Sequence, residues 1–182
     1  VTKNCADMIL ADDNFSTIVV AVEEGRKIYD NIVKVIQFLL STNISEVVAV
    51  FIATLIGFTI LKPTHILWIN LITDSLPALA LALEKGEDDI MKKKPRPSGE
   101  SLFAHGLAFD ILFQGLIVGL LSIASYLLSI HVFTLTEKEA MTMAFLTLSS
   151  TEIFQALNMR SNKKSLFELH YFNSYLLGTM II

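Results

Sequence analysis

Three acidic residues stand inside apolar stretches of this 182-residue chain. They are Glu46, Asp74 and Glu152. A carboxylate near the centre of a membrane-spanning helix costs about 2.5 to 3.5 kcal/mol on insertion scales, so such a residue indicates a functional site. Carboxylates that meet in a low dielectric repel each other unless a cation or protons neutralise them. The chemistry that these positions favour is therefore the binding of cations or protons.

Polar side chains accompany each carboxylate at helical spacing. Asn43 precedes Glu46, Asn70 and Thr73 precede Asp74, and Ser149 and Gln155 flank Glu152. Residues three or four apart share one face of a helix. Oxygen ligands in this number suit Ca²⁺, which takes six to eight, better than Zn²⁺, for which Cys and His are expected. The alternative is a polar face that packs against neighbouring helices, with the carboxyl groups neutral and hydrogen-bonded.

Composition places the chain among membrane proteins. It is 53% hydrophobic with a mean hydropathy of +0.58, more apolar than an ordinary soluble domain. A net charge of −4 argues against a nucleic-acid partner. The single Cys5 excludes an internal disulfide and argues against a thiolate metal site. The four histidines lie in loops or at span ends, which argues against a catalytic or metal-binding histidine.

The elements that carry the carboxylates are predicted as helices. We expect an all-α, polytopic transmembrane bundle with spans at residues 32–61, 66–83, 107–130, 140–159 and 171–182, the last cut short. The first helix begins near Ser16, after a capping cluster, and enters the membrane without a break. Residues 62–65 form a turn, residues 84–106 form a polar loop, and Gly115 and Gly119 allow close helix contact. Pro77 is expected to free the carbonyl of Thr73 from helical bonding.

Lysine and arginine set the expected topology. They are frequent before the first span, in the 84–106 loop and in residues 160–164, whereas the two short turns carry one each. The positive-inside rule then places the amino end in the cytoplasm. The chain begins without Met and stops within an apolar run, so we expect it to be a piece of a longer protein.

Several segments resemble one known family. Residues 43–46 (NISE) and 67–78 (LWINLITDSLPA) are similar to the fifth and sixth transmembrane helices of P-type (E1-E2) calcium-transporting ATPases of type II. Residues 6–16 (ADMILADDNFS) resemble the end of their phosphorylation domain, and residues 87–91 (EDDIM) with 94–96 (KPR) resemble their sixth-to-seventh loop. The resemblance implies that residues 1–22 end a cytoplasmic phosphorylation domain and that residues 23–182 form the C-terminal membrane domain, through helix nine.

The resemblance also implies a function and a ligand set. ATP phosphorylates an aspartate in such pumps, and Ca²⁺ leaves the cytoplasm while protons return. One site would be lined by Asn43, Glu46, Thr73, Asp74 and Glu152. Asp74 would be shared with a second site to which Asn70 contributes, together with the fourth helix, which this chain lacks.

What the chain lacks follows from the same resemblance. The phosphorylated aspartate, the nucleotide domain and the sites for ATP and Mg²⁺ belong to other parts of the polypeptide, so the piece alone is not expected to hydrolyse ATP. Its partners are the lipid bilayer and the rest of the same polypeptide, including transmembrane helices 1 to 4 and 10. The expected location is the plasma membrane of a bacterium. Two other classes stay open on the residues alone: a secondary cation/proton exchanger or channel, and a purely structural bundle.

Overall fold

The computed structural model describes residues 9–11, 14–87, 89–97, 99–161 and 173–181. All regular elements in these ranges are helical, which confirms the predicted all-α class. The helices are α1 (Phe15–Ile56), α2 (Pro63–Trp68), a π-helical turn (Ile69–Asp74), α3 (Ser75–Ala82), α4 (Leu107–His131), α5 (Glu137–Asn158) and α6 (Ser174–Ile181). Short 3₁₀ turns lie at Ile90–Lys92 and Ala104–Gly106.

Helix α1 is one uninterrupted helix of 42 residues. It begins as the sequence predicts, because the side chain of Asn14 accepts a hydrogen bond from Ser16 N at 3.1 Å and caps the first turn. It ends five residues before the predicted boundary at residue 61. Gly57 takes a left-handed conformation, with φ of 99°, and its N–H bonds back to Ala53 O in the manner of a helix C-cap.

The second span differs from its prediction in two ways. Residues 62–65 are not all turn, because Pro63 opens helix α2 at a position where its missing N–H costs nothing. The second difference is a π-helical turn in the segment where the sequence predicts only a carbonyl of Thr73 freed by Pro77. The π-helical turn lies just before Pro77, at Ile69–Asp74, and Pro77 sits inside the regular helix α3. A π-turn inside a helix is frequently found at a functional site.

The later helices fall close to their predicted positions. Helix α4 matches the third span to within a residue, and α5 starts three residues early because Thr136 and Glu139 form a capping box. Among the described residues, three segments are long and apolar enough to cross a membrane: Phe15–Ile56, Pro63–Ala82 and Leu107–His131. Helix α5 is not among them. Of the predicted fifth span and the 160–164 loop, the structure describes only residues 160–161 and 173–181.

Two glycines let α4 lie directly on α1. A Cβ at Gly115 would stand 2.6 Å from Ile44 Cγ2 and 2.8 Å from Ser41 O, and one at Gly119 would stand 2.8 Å from Ser45 O. The GxxxG spacing therefore serves close packing, as the sequence predicts. The contact brings α4 against the segment of α1 that carries Glu46.

The loop of residues 84–106 packs against the first half of α1, at what we call the loop end of the bundle. Arg26 Nη1 donates to Ile90 O at 3.0 Å and to Lys93 O at 2.8 Å. Lys93 Nζ lies 2.6 Å from Asp30 Oδ2. Burial lowers the pKa of Lys93, but the carboxylates of Asp30 and Glu87 outweigh it and raise the pKa above its ordinary value, so the ammonium stays charged at neutral pH.

Candidate cation-binding site

The three predicted carboxylates are all buried within the bundle. Glu152 on α5 is 0% exposed, Asp74 at the end of the π-turn 1%, and Glu46 on α1 6%. Each comes from a different element, and α1 contacts the other two: Thr42 bonds to Asp74, and Ser45 lies 3.3 Å from Glu152. The apolar runs of the sequence thus bring their acidic residues to one level of the bundle.

Glu46 and Asn70 form a direct pair between α1 and the π-turn. Asn70 Nδ2 lies 3.0 Å from Glu46 Oε1 and 2.8 Å from Glu46 Oε2. The same amide nitrogen donates to Ile66 O, one turn earlier, which fixes the orientation of the side chain. The oxygen of Asn70 is thereby turned away from Glu46.

Asp74 is held from one side only. Thr42 Oγ1 donates to Asp74 Oδ2 at 2.9 Å, while Asp74 Oδ1 is buried and has no hydrogen-bond partner. Its neighbour Thr73 is also buried, at 6% exposure. A buried carboxylate oxygen without a partner is costly, and a bound cation or proton removes that cost.

Glu152 repeats this arrangement on α5. Ser45 Oγ lies 2.6 Å from Thr42 O, to which it donates, and 3.3 Å from Glu152 Oε1, while Glu152 Oε2 is buried without a partner. Gln155, one turn along, donates to Ser41 Oγ at 2.6 Å and leaves its own Oε1 unpartnered. The hydroxyl of Ser149, one turn before Glu152, is likewise buried without a partner.

The π-turn changes which backbone oxygen is available. Ser75 Oγ donates to Asn70 O at 2.7 Å, five residues earlier. Two residues of this turn contact α1: Asn70 bonds to Glu46, and Asp74 bonds to Thr42. A regular helix wheel, on which the sequence interpretation rests, does not contain this turn.

The structure brings together five of the six predicted site residues and leaves one outside. Asn70 bonds to Glu46, Asp74 and Glu152 contact Thr42 and Ser45 on the same helix as Glu46, and Thr73 is buried beside Asp74. Asn43 is exposed, and its amide donates to Leu39 O of its own helix at 2.6 Å. Within the described residues, no three His, Cys, Asp or Glu side chains converge closely enough to hold a metal ion by themselves. A cation here would need amide and hydroxyl oxygens as well as carboxylates.

Sequence reasoning assigned no role to Ser41 or Ser45, which contact Gln155 and Glu152. The signal that could have found them is their spacing: Ser41, Thr42 and Ser45 lie on the face of α1 that meets α5 and the π-turn. Short hydroxyl side chains on a buried helix face are common packing features, so the spacing alone does not single them out.

Comparison with known proteins now decides the family. A family model described as "Cation transporting ATPase, C-terminus" matches residues 58–182, more than half of the chain. The chain belongs to this family. Its resemblance to P-type calcium-transporting ATPases, drawn above from the sequence, is confirmed.

Relatives within this family match over the whole chain. The chain is 44% identical to "Calcium-transporting ATPase 1" of Bacillus cereus and 36% identical to "Calcium-transporting ATPase" of Bacillus subtilis. It is also 36% identical to "Calcium-transporting ATPase 3, endoplasmic reticulum-type" of Arabidopsis thaliana. All of this chain is covered in each case, but only 22%, 20% and 21% of the relative. The cation-transporting ATPase C-terminus described here is thus about a fifth of the length of such relatives.

Proposed function

We propose that this chain is the C-terminal membrane part of an ATP-driven calcium pump and that its buried carboxylates bind the transported Ca²⁺. The observation that carries the proposal is the burial of Glu46, Asp74 and Glu152 on three elements of one bundle, with one oxygen of Asp74 and one of Glu152 unpartnered. We take the cation to be Ca²⁺ because the relatives are named calcium-transporting ATPases.

The donor set agrees with calcium. Carboxylate, amide and hydroxyl groups lie near Asp74. The described histidines lie at helix ends or in the loop. Hard oxygen ligands in a flexible arrangement are what Ca²⁺ prefers. The ligand set that we propose is Asn43, Glu46, Asn70, Thr73, Asp74 and Glu152. Asn43 would have to rotate inward from its exposed position to join it.

Proton countertransport follows from the free-energy cost of buried, charged carboxylates that have no bound cation. When Ca²⁺ leaves, Asp74 and Glu152 stay buried, and protons are the simplest means of neutralising them. Protons taken up from the outer side would return to the cytoplasm. In inside-out vesicles, calcium uptake should therefore make the lumen alkaline, as a trapped pH dye would report. Uptake without any change of lumenal pH would remove this part of the proposal.

Helix α1 supplies a physical link to ATP hydrolysis. At 1.5 Å per residue its 42 residues extend about 63 Å, twice the roughly 30 Å core of a bilayer. One end would stand in the cytoplasm, beside the phosphorylation domain to which residues 1–22 are proposed to belong, while Glu46 lies in the membrane. A movement of the cytoplasmic half of α1 would then be transmitted along the helix to the cation site.

The location that we propose is a bacterial plasma membrane with the loop end in the cytoplasm. Lys93 and Arg96 belong to the 84–106 loop at that end, which agrees with the positive-inside rule. ATP and Mg²⁺ would bind the domains that precede this chain. The first four and the tenth transmembrane helices of the same polypeptide would complete the bundle.

The test is Ca²⁺-dependent ATP hydrolysis by the full-length parent protein. Glu46→Gln and Asp74→Asn should each abolish the calcium-dependent rate, because each removes a charge that faces the cation. Glu137→Gln is the matched control, since Glu137 is an exposed carboxylate in the first turn of α5, and it should behave as wild type. Undiminished activity in both site variants would return these carboxylates to a structural role.

A further inference from the structure

Two hydroxyl groups on α1 each contact one buried carboxylate of the cluster. We propose that Thr42 and Ser45 are positioning residues of the calcium site: each hydroxyl holds one oxygen of Asp74 or Glu152 and thereby directs the other oxygen toward the cation. This inference rests on the proposed function, because it concerns the same site.

Thr42 carries the stronger evidence. Its side chain is 0% exposed, and Oγ1 lies 2.9 Å from Asp74 Oδ2, a contact between α1 and the π-turn. The opposite oxygen, Asp74 Oδ1, is buried without a partner. A carboxylate with one oxygen held and one left open has a fixed orientation, and hydrogen bonds from outside the ligand shell commonly orient metal ligands in this way.

Ser45 makes a longer contact one turn later, because it shares its single hydroxyl proton with Thr42 O at 2.6 Å. It is 0% exposed, its Oγ lies 3.3 Å from Glu152 Oε1, and Glu152 Oε2 is the unpartnered oxygen. The two hydroxyls are three residues apart on α1, so a single helix face holds carboxylates from two other elements. A rotation of α1 would move both contacts together.

The alternative is that these hydroxyls serve only their own helix. Thr42 Oγ1 also lies 3.1 Å from Leu39 O, and Ser45 Oγ lies 2.6 Å from Thr42 O. Such bonds are ordinary for Ser and Thr in helices. Ser122 shows that case by itself: it is 1% exposed and donates to Val118 O of α4. It is therefore a matched control, a buried hydroxyl in the same bundle that contacts no acidic residue of the site.

The experiment measures calcium-dependent phosphorylation by ATP in the full-length parent protein across free Ca²⁺ concentrations. Thr42→Val keeps the shape and removes the hydroxyl, whereas Thr42→Ser keeps the hydroxyl. We expect Thr42→Val to raise the half-saturating Ca²⁺ about tenfold or more while the phosphorylation level at saturating Ca²⁺ is retained. Thr42→Ser should restore the wild-type value. Ser45→Ala should act in the same direction, and Ser122→Ala should match wild type.

Three results would overturn the inference. They are an unchanged half-saturation in Thr42→Val, a loss in Thr42→Ser as large as in Thr42→Val, and a fall in maximal phosphorylation with half-saturation unchanged. If Thr42→Val does not yield folded protein, Thr42→Ala gives the same comparison with less crowding. Failure of the proposed function is distinct, because the wild type would then show no calcium-dependent phosphorylation at all.

Discussion

At the scale of single residues, the candidate site pairs neutral donors with carboxylates. Asn70 donates a hydrogen bond to Glu46, Thr42 donates one to Asp74, and the hydroxyl of Ser45 lies 3.3 Å from Glu152. Each donor sits on a different element from its acceptor. Neutral donors lessen the cost of burying a carboxyl group without competing for a cation, since they bring no charge of their own.

The Asn70 pair predicts a measurable effect in the absence of calcium. In Asn70→Ala, Glu46 loses its hydrogen-bond donor while it stays buried, which costs about 1 to 3 kcal/mol. The thermal midpoint of the full-length protein in a calcium chelator should fall. Asn158→Ala, an equivalent change at an exposed position on α5, is the control and should leave the midpoint in place. Equal thermal midpoints for the two variants would show that the hydrogen bond between Asn70 and Glu46 does not stabilise the protein.

The carboxylates of the site could be predicted from the sequence, and its hydrogen bonds could not. An acidic residue inside an apolar run is visible by inspection, as Glu46, Asp74 and Glu152 are. The direction of a side chain on a buried helix depends on how that helix is rotated against its neighbours. Packing sets that rotation, which is why Asn43 lies outside the cluster and Ser45 within it.

At the scale of elements, α4 packs closely against the part of α1 that carries Ser41 and Ser45. Gly115 and Gly119 face the backbone oxygens of Ser41 and Ser45. No side chain fits between the two helices at these positions. The spacing of the glycines is visible in the sequence, but its partner helix becomes known only from the structure.

This contact predicts opposite effects for two glycine substitutions. Gly115→Ala should lower the thermal stability by about 1 to 3 kcal/mol, because the added methyl group overlaps Ile44 and Ser41. Gly25→Ala, on the exposed face of α1 with nothing within 4 Å, should be neutral or stabilise by up to about 1 kcal/mol. Thermal unfolding of both variants, followed by tryptophan fluorescence, gives the comparison. A stabilising Gly115→Ala would refute the close contact.

Of the three helix boundaries that a cap marks, the start of α1 was predicted, whereas the end of α1 and the start of α5 lie five and three residues before their predicted positions. Asn14, Gly57 and Thr136 each end or begin a helix by a local hydrogen bond or a left-handed turn. The π-turn was not predictable in this way. It has no local cap, and the sequence predicts only that Pro77, which lies just beyond it within α3, frees the carbonyl of Thr73.

At the scale of the whole molecule, a buried polar cluster joins four helices at the loop end. Arg160, after α5, pairs with Glu84, after α3, through two contacts of 3.1 and 3.3 Å. Asn173, before α6, donates to Glu84 Oε2 at 2.7 Å. From α1, Asn31 donates to Glu84 O at 2.7 Å and Lys34 to Arg160 O at 2.8 Å. The carbonyls after α3 and α5 thereby gain donors from α1.

This cluster predicts strong coupling between Glu84 and Arg160. Glu84→Gln alone leaves a buried guanidinium with a weaker partner, and breaking a buried pair costs about 3 to 5 kcal/mol. Adding Arg160→Met should recover part of the loss. A double-mutant cycle on thermal stability measures the coupling. The exposed pair of Glu24 and Lys27 is the control, with an expected coupling below about 1 kcal/mol. Additive changes in the free energy of unfolding for the Glu84 and Arg160 variants would contradict the predicted coupling.

The buried carboxylates are proposed to bind calcium. Equilibrium binding of radioactive Ca²⁺ to the purified full-length parent, without ATP, tests this proposal most directly. Wild type and Asp110→Asn, an exposed carboxylate on α4, should bind Ca²⁺ saturably, and Asp74→Asn should not. Binding by Asp74→Asn equal to that of wild type would contradict the account.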